Sequence, residues 1–338
     1  MAPICASGRK KREKCLYFFR LCLNFSLVVT FLIFSSSQHQ WGFWAHKRIN
    51  RLAVFRLPPE MLVFYKPNID YLTENAVNPD KRRYSVVGEA ERHFIDLDVY
   101  GDGALILLPK YWREAVGKIG EDSLRKHGIA PWHIQLASYQ LTEAFKAKDA
   151  QRILRISADL GHYIADAHVP LHTTRNYNGQ FSNQDGIHGF WESRLPELFA
   201  GDYDVWNGSA EYQENIANAI WNVVRESHAC LDSVFLFEKE LSKNFKQDKK
   251  YSYELRNNVL TRSYSHDFAE KYHQMLDRQV ERRMRAAIKM VGDMWYTCWV
   301  NAGQPDLSDL KNALDPTQGE ESPNWLKRLF PARPEPED

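Results

Sequence analysis

The sequence predicts an all-α fold, a single-domain bundle of about seven to ten helices at an average of three or more turns each. Three observations predict it. Apolar residues recur at three- and four-residue steps through several long stretches. No series of alternating strand patterns stands beside them. Loop-forming residues gather in a few segments, above all 173–187, rich in Asn, Gly, Ser and Gln.

The elements follow in order. Residues 1–40 read as a leader: the basic "GRKKREK", the apolar "LCLNFSLVVTFLIF", then "SSSQHQ", the layout of a secretory signal. An uncleaved membrane anchor is the rival reading, because "CLYFFRLCLNFSLVVTFLIF" approaches spanning length, although Arg20 interrupts it. Either way the body is expected to be exported, periplasmic or secreted. Six of the 44 basic and one of the 43 acidic residues fall in the first forty, leaving 38 and 42, a net of −4. That is a poor footprint for indiscriminate nucleic-acid binding. Cys5, Cys15 and Cys22 lie in the leader, so only Cys230 and Cys298 remain for a disulfide, which spacing alone does not establish.

Beyond the leader, residues 44–56 place Ile49, Leu52 and Ala53 between Arg and Lys. Residues 131–147 open on Pro131 and set Ile134, Leu141 and Phe145 at near-helical steps. A further helix covers 150–168. The pattern is clearest over 270–300, where Val280, Met284, Ala287, Val291, Met294 and Cys298 recur. Residues 303–338 end in "PARPEPED" and are expected to form a poorly ordered Pro-rich acidic tail. Asn207 opens an "NGS" glycosylation sequon. Residues 41–302 are therefore the expected functional domain.

Within it, "LGHYIADAHVPLHTTRNYNGQFSNQDGIHGFWES" holds four histidines in one run. His162 and Asp166, four apart, share a helix face. Pro170 ends that helix and His172 follows. His188 and Glu192 are again four apart. A single His/carboxylate pair is usually structural. Two pairs and a turn histidine in one segment point to more than one metal ion. Imidazole and carboxylate without a CxxC thiolate pair suit zinc in a hydrolytic site.

These motifs resemble the zinc-dependent phospholipase C and S1/P1 nuclease superfamily. The likeness rests on "HYIADAHVPLH" and "GIHGFWE", on "WGFWAH" directly after the leader, and on "NPDKRRYSVVGEAERHFIDLD", and it runs from Trp41 to near Trp299. It implies a helical bundle of that type and three zinc ions. Asp80, His93, His162 and Asp166 would hold the first, and His172, His188 and Glu192 the second. Trp41, through a free α-amine and carbonyl, would hold the third with His46 and the shared Asp166. It also implies in-line hydrolysis of a phosphodiester by a zinc-activated water, with Asp80 orienting or deprotonating that water and Arg83 near the phosphate. His168, two positions after Asp166, reads as a structural or supporting histidine.

The substrate signals are mixed. Glu192 and the short gap between His172 and His188 are phospholipase-like, whereas the Trp41–His46 spacing is nuclease-like. The choline-binding residues of the bacterial phospholipases find no clear match: Trp44 and Lys81 stand where a Glu and a Tyr would be expected. Phe94 and Trp44 are the candidate substrate-binding aromatics, with Tyr84 and Trp191 also beside ligand positions, to stack on bases or line a lipid pocket. A phospholipid substrate is slightly favoured, single-stranded nucleic acid is the alternative, and a membrane-anchored, non-catalytic zinc-binding protein is the third reading. No protein partner is implied. A free amine at Trp41 requires cleavage just before it, yet Ser35 and Ser37 would direct a cut three residues earlier. Further trimming, or His39 in place of the amine, would reconcile the two.

Overall fold

The computed structural model describes residues 42–206, 208–256 and 259–310. The leader with its cysteines and His39, Trp41, Asn207 and the tail past 310 lie outside them. Fifteen α-helices and one two-stranded sheet follow one another among the described residues. They are α1 (Phe43–Val54), α2 (Pro59–Tyr65), α3 (Ile69–Asn75), α4 (Asn78–Arg82), α5 (Ala104–Leu107), α6 (Trp112–Ile119), α7 (Glu121–Lys126), α8 (Ala130–Lys146) and α9 (Ala150–Ala167). After a loop, α10 (Ile187–Gly189) runs through a π-helical turn (Phe190–Arg194) into α11 (Leu195–Phe199). Then come α12 (Ile216–His228), α13 (Leu231–Asn244), strands β1 (Tyr251–Arg256) and β2 (Val259–Tyr264), α14 (His266–Met275) and α15 (Gln279–Asn301).

The all-α class is therefore what the chain adopts, with more helices than the periodicity predicts. Seven run ten residues or longer: α1, α8, α9 and α12–α15. The others span one or two turns, too few for a 3.6-residue repeat to be read. Two expectations need correction. "YSYELR" and "VLTRSY" form an antiparallel hairpin pairing Tyr251 with Tyr264 and Leu255 with Leu260. Each strand is six residues long, so its alternation is brief. The stretch 270–300 is not one helix. Asp277 and Arg278 take φ of 45° and 57°, a left-handed break between α14 and α15. The apolar rhythm survives the break because both helices bury the same core, through Phe268, Tyr272, Val280 and Met284.

That core centres on α9, whose neighbours α1, α3, α8 and α15 pack around it. Buried aromatics fill the gaps, and two of them bond to Ser157 of α9: Tyr65 Oη and Ser157 Oγ are 2.8 Å apart, and Trp295 Nε1 donates to Ser157 O at 3.1 Å. At the start of α9, Asp149 Oδ1 accepts from Arg152 N at 3.0 Å. At its end, Ser227 Oγ donates to Ala167 O at 2.6 Å, and the buried Arg283 of α15 donates to His168 O at 3.1 Å. Carbonyls that a helix terminus leaves unpaired are thereby satisfied, and the end carrying His162 and Asp166 is held rigidly.

Close approach of α1 to α9 depends on Gly161. Asn50 of α1 donates through Nδ2 to Ala158 O at 3.0 Å, and a Cβ at position 161 would overlap its Oδ1. Cys230 and Cys298 are both free thiols; Cys298 is fully buried and donates to Ser138 O at 3.3 Å. Past α15, Leu307 is fully buried in the same core. No helix among the described residues is long and apolar enough to cross a membrane.

Candidate metal centre

Eight of the nine expected ligands lie within the described residues, and the fold brings all eight together. His46 comes from α1, Asp80 from α4, and His93 from the turn after the 3-10 segment Ala90–Arg92. His162 and Asp166 come from the last two turns of α9, and His172 from the 3-10 turn Pro170–Thr173. His188 belongs to α10 and Glu192 to the π turn, a distortion frequent at functional sites.

Three ligand groups can be drawn: His46, Asp80 and His162; His93, His162 and Asp166; and His172, His188 and Glu192. Within each, the donor atoms lie within 4.8 Å of one another. Asp166 joins them. Its Oδ2 is 2.8 Å from His93 Nδ1 and 3.3 Å from His162 Nε2. Its Oδ1 is 3.4 Å from His46 Nε2 and 4.0 Å from His172 Nδ1. Asp80 Oδ1 lies 3.6 Å from His162 Nε2. In the third group, Glu192 Oε2 is 3.3 Å from His172 Nε2 and 3.0 Å from His188 Nε2.

Hydrogen bonds behind the rings choose which nitrogen faces inward. His162 Nδ1 donates to Ala76 O at 2.9 Å and His172 Nδ1 to His93 O at 2.6 Å, so Nε2 of each turns to the centre. Such outer bonds fix the tautomer of metal-binding histidines. His93 has the opposite sense, with Nδ1 inward and Nε2 3.7 Å from Glu89 Oε1.

Glu89 is the residue that sequence reasoning missed. Fully buried, it accepts from Arg82 Nε and Arg92 Nη1, each at 2.9 Å, and from Tyr163 Oη. Arg82 in turn forks onto Asp159 at 3.1 and 3.0 Å. The available signal was a Glu four residues before His93, in a segment with no helical pattern to make that spacing meaningful.

The polar inventory fits a cation. Buried side-chain atoms without a hydrogen-bond partner include both ring nitrogens of His46, Nε2 of His172, Asp80 Oδ2, Asp166 Oδ1 and Glu192 Oε1. Orphaned atoms at this density are costly unless something absent from the chain satisfies them. The titration of the metal-free cluster tells the same story. Burial, then the neighbouring His162, lowers His46. Burial and then Arg83 push His188 down to about 3. Burial opposes charge on His162 too, but Asp166 and Asp80 outweigh it and raise the ring to about 9. Burial likewise raises Glu192 to about 8, with His172 opposing. Asp166 is buried as well, yet His162 and His172 hold it well below the carboxylate range.

A cation held by His162 and Glu192 would need a lone pair on each, and both groups carry protons at pH 7 without it. Binding of a divalent cation there at pH 7 is therefore expected to release about two protons, with affinity rising as pH climbs through 8 and 9. Calorimetry in buffers of different ionisation heat measures this directly. Binding without proton release would remove both residues from the ligand set.

The other singled-out residues separate. Arg83 is half-buried, close enough to His188 to depress its pKa, and its guanidinium makes no ion pair among the described residues. Trp44 is 39% exposed, with the Arg48 guanidinium 5.2 Å from its ring centroid; Tyr84 is 85% exposed. Phe94 is half-buried, and Trp191 is fully buried with Nε1 donating to Gln279 Oε1 at 3.1 Å, a core residue. His168 stands apart from the ligand groups, its Nδ1 donating to Ile164 O at 2.8 Å. Tyr177, in the loop before α10, sets its ring edge-on 5.6 Å from that of His188.

The fold and site define a helical protein with a buried, carboxylate-bridged histidine cluster of metal-binding composition. No protein-family model and no curated protein matches the chain. Among solved structures, the alpha-toxin of Clostridium perfringens from avian strain SWCP is similar, with a TM-score of 0.44 and 13% identity. The match covers 80% of this chain and 66% of the toxin chain.

Proposed function

We propose that the protein is a zinc-dependent phosphodiester hydrolase acting on phospholipid in the manner of a phospholipase C. The observation that carries the reading is Asp166, one fully buried carboxylate within 4.0 Å of four histidines, with two further carboxylates beside it. That is a donor set for several hard or borderline cations at once. The ligand assignment is the one the motif resemblance implies: Asp80, His93, His162 and Asp166; His172, His188 and Glu192; and His46 with Trp41 and Asp166. Zinc held there would lower the pKa of water from 15.7 towards ~7 and polarise a phosphoryl oxygen.

The chain's own residues supply the rest. Asp80 has its Oδ2 free of hydrogen bonds and a side chain still 10% exposed, so it can take a proton from an entering water. Arg83 offers an uncommitted guanidinium beside His188, suited to a phosphate oxygen. Phe94 and Trp44 are proposed to contact the substrate. The functional domain is proposed as 41–302, exported by the 1–40 segment. The amine of Trp41 serves only if cleavage falls directly before it, which N-terminal sequencing of the exported protein reads out.

Single-stranded nucleic acid is the competing substrate, and the exposed rings of Trp44 and Tyr84 are what its bases would stack on. The deciding experiment removes zinc by chelation, restores it, and assays phosphatidylcholine, a generic phosphodiester and single-stranded DNA in parallel. Zinc-restored activity on phospholipid above DNA is expected. Activity on DNA alone would transfer the protein to the nuclease reading, and activity on none would favour a non-catalytic zinc-binding protein.

Glu192→Asp is expected to keep more activity than Glu192→Gln. The aspartate keeps the charge that a cation at His172 and His188 requires, while the amide loses it. A more active glutamine variant would mean that the second zinc position is drawn wrongly.

A further inference from the structure

The β1–β2 hairpin carries an apolar face that begins in the core and continues out of it. Cross-strand partners share a face, as do residues two apart on one strand. The pairs Tyr251–Tyr264, Tyr253–Arg262 and Leu255–Leu260 therefore lie on one side. At the base, Tyr264 is buried and stacks on Phe190 with ring centroids 3.9 Å apart. Further out no described residue covers the face: Tyr253 is 69%, Leu255 70% and Leu260 66% exposed. The opposite side is polar, and its Glu254 accepts from Arg194 Nη1 at 2.8 Å.

Charge says what could cover it. Residues 243–264 hold six Lys/Arg and two Asp/Glu, on a chain that nets −4 beyond its first forty residues. Lys243, Lys246, Lys249 and Arg262 are exposed. Arg262 shares the face with the two leucines and Tyr253, and Lys243, Lys246 and Lys249 precede β1 at the hairpin's base; cations beside exposed apolar side chains match a surface that is anionic outside and apolar beneath. The hairpin is also fastened to the π turn holding Glu192, by Phe190 on one side and Arg194 on the other.

We propose that this hairpin docks the protein on an anionic phospholipid surface, inserting Leu255, Leu260 and Tyr253 while Arg262 and the lysines at its base meet headgroups. This deepens the phospholipase reading, on which it rests for its purpose: docking would bring the candidate centre to its substrate.

The test is sedimentation of the zinc-loaded full chain with vesicles of equal parts phosphatidylcholine and phosphatidylserine, in phosphonate forms that resist cleavage. Binding is expected to weaken with salt and to be far lower on phosphatidylcholine alone. The Leu255→Ser/Leu260→Ser double variant should bind at least about tenfold more weakly, since withdrawing even one leucine from an apolar phase is worth that factor. Arg262→Glu should lose about fivefold or more, on the anionic vesicles only. All these positions are exposed, so thermal melting should match the parent.

A wild-type chain that stays in solution, or a double variant that binds as well as the parent, would overturn the proposal. So would leucine-dependent binding to single-stranded DNA, or leucine-dependent self-association, without vesicle binding. Hydrolysis of a soluble short-chain phospholipid separates the two readings. Retained hydrolysis in a variant that no longer docks supports the hairpin's role, whereas docking by a chain that hydrolyses no phospholipid would sink the phospholipase reading and leave docking intact.

Discussion

On the proposed function, Asp166→Asn is expected to remove more than one zinc ion per chain and to lower phosphodiesterase activity by more than about a hundredfold, beyond what loss of an outer-shell partner costs. The amide has the carboxylate's shape, so the helix should keep its packing. What changes is the charge at a fully buried point within 4.0 Å of four histidines. A neutral amide oxygen is a weak zinc ligand, and the amide NH2 would face imidazole nitrogens as a donor where a cation is wanted. Asp166 is also the largest upward influence on His162, so that ring's pKa should fall in the variant. Metal analysis by mass spectrometry and a phosphodiesterase assay check both halves. A variant with its full metal complement would show that no ion depends on this carboxylate.

Gly161→Ala is expected to destabilise the protein by about 1–3 kcal/mol, the usual cost of forcing extra volume into a packed interior. The added Cβ would overlap Asn50 Oδ1 and stand 2.8 Å from its Cγ. Asn50 cannot simply swing away, because it is buried and its Nδ2 is tied to Ala158 O. Relief must come from separating α1 and α9, and those helices carry His46 and His162, whose rings stack 3.9 Å apart. Zinc affinity should therefore fall together with stability. The Asn50→Ala/Gly161→Ala double variant supplies the control. Asn50→Ala alone should cost about 1 kcal/mol for its lost hydrogen bonds. In the pair the overlap is gone, so the double variant should be more stable than the sum of the singles predicts by about 1 kcal/mol. Strict additivity by denaturant titration would show that Asn50 is not what Gly161 accommodates.

Helix periods were legible wherever a helix ran long enough to repeat. The limits of α1, α8 and α9 fall within a residue or two of their patterns, because one face of each must be apolar for the chain to bury a core. The candidate ligand pairs His162/Asp166 and His188/Glu192 were legible for the same reason: a four-residue spacing on a helix fixes two side chains on one face whatever surrounds them.

What the sequence by itself determined was thus local: the helical class, the candidate ligand pairs, and residue types suited to metal binding. Only the tertiary structure decided the rest. It carried His46 and Asp80, far apart along the chain, to the end of α9. It broke 270–300 at Asp277 and Arg278, where left-handed backbone leaves the apolar rhythm untouched. It folded 251–264 into a hairpin and set Glu89 behind His93 with Arg82 and Tyr163. Local patterns record which face of an element is apolar, because that depends on neighbours in the chain. Burial of Glu89 and of the free atoms around Asp166 depends on elements packed from elsewhere, and no spacing in a linear sequence encodes that contact.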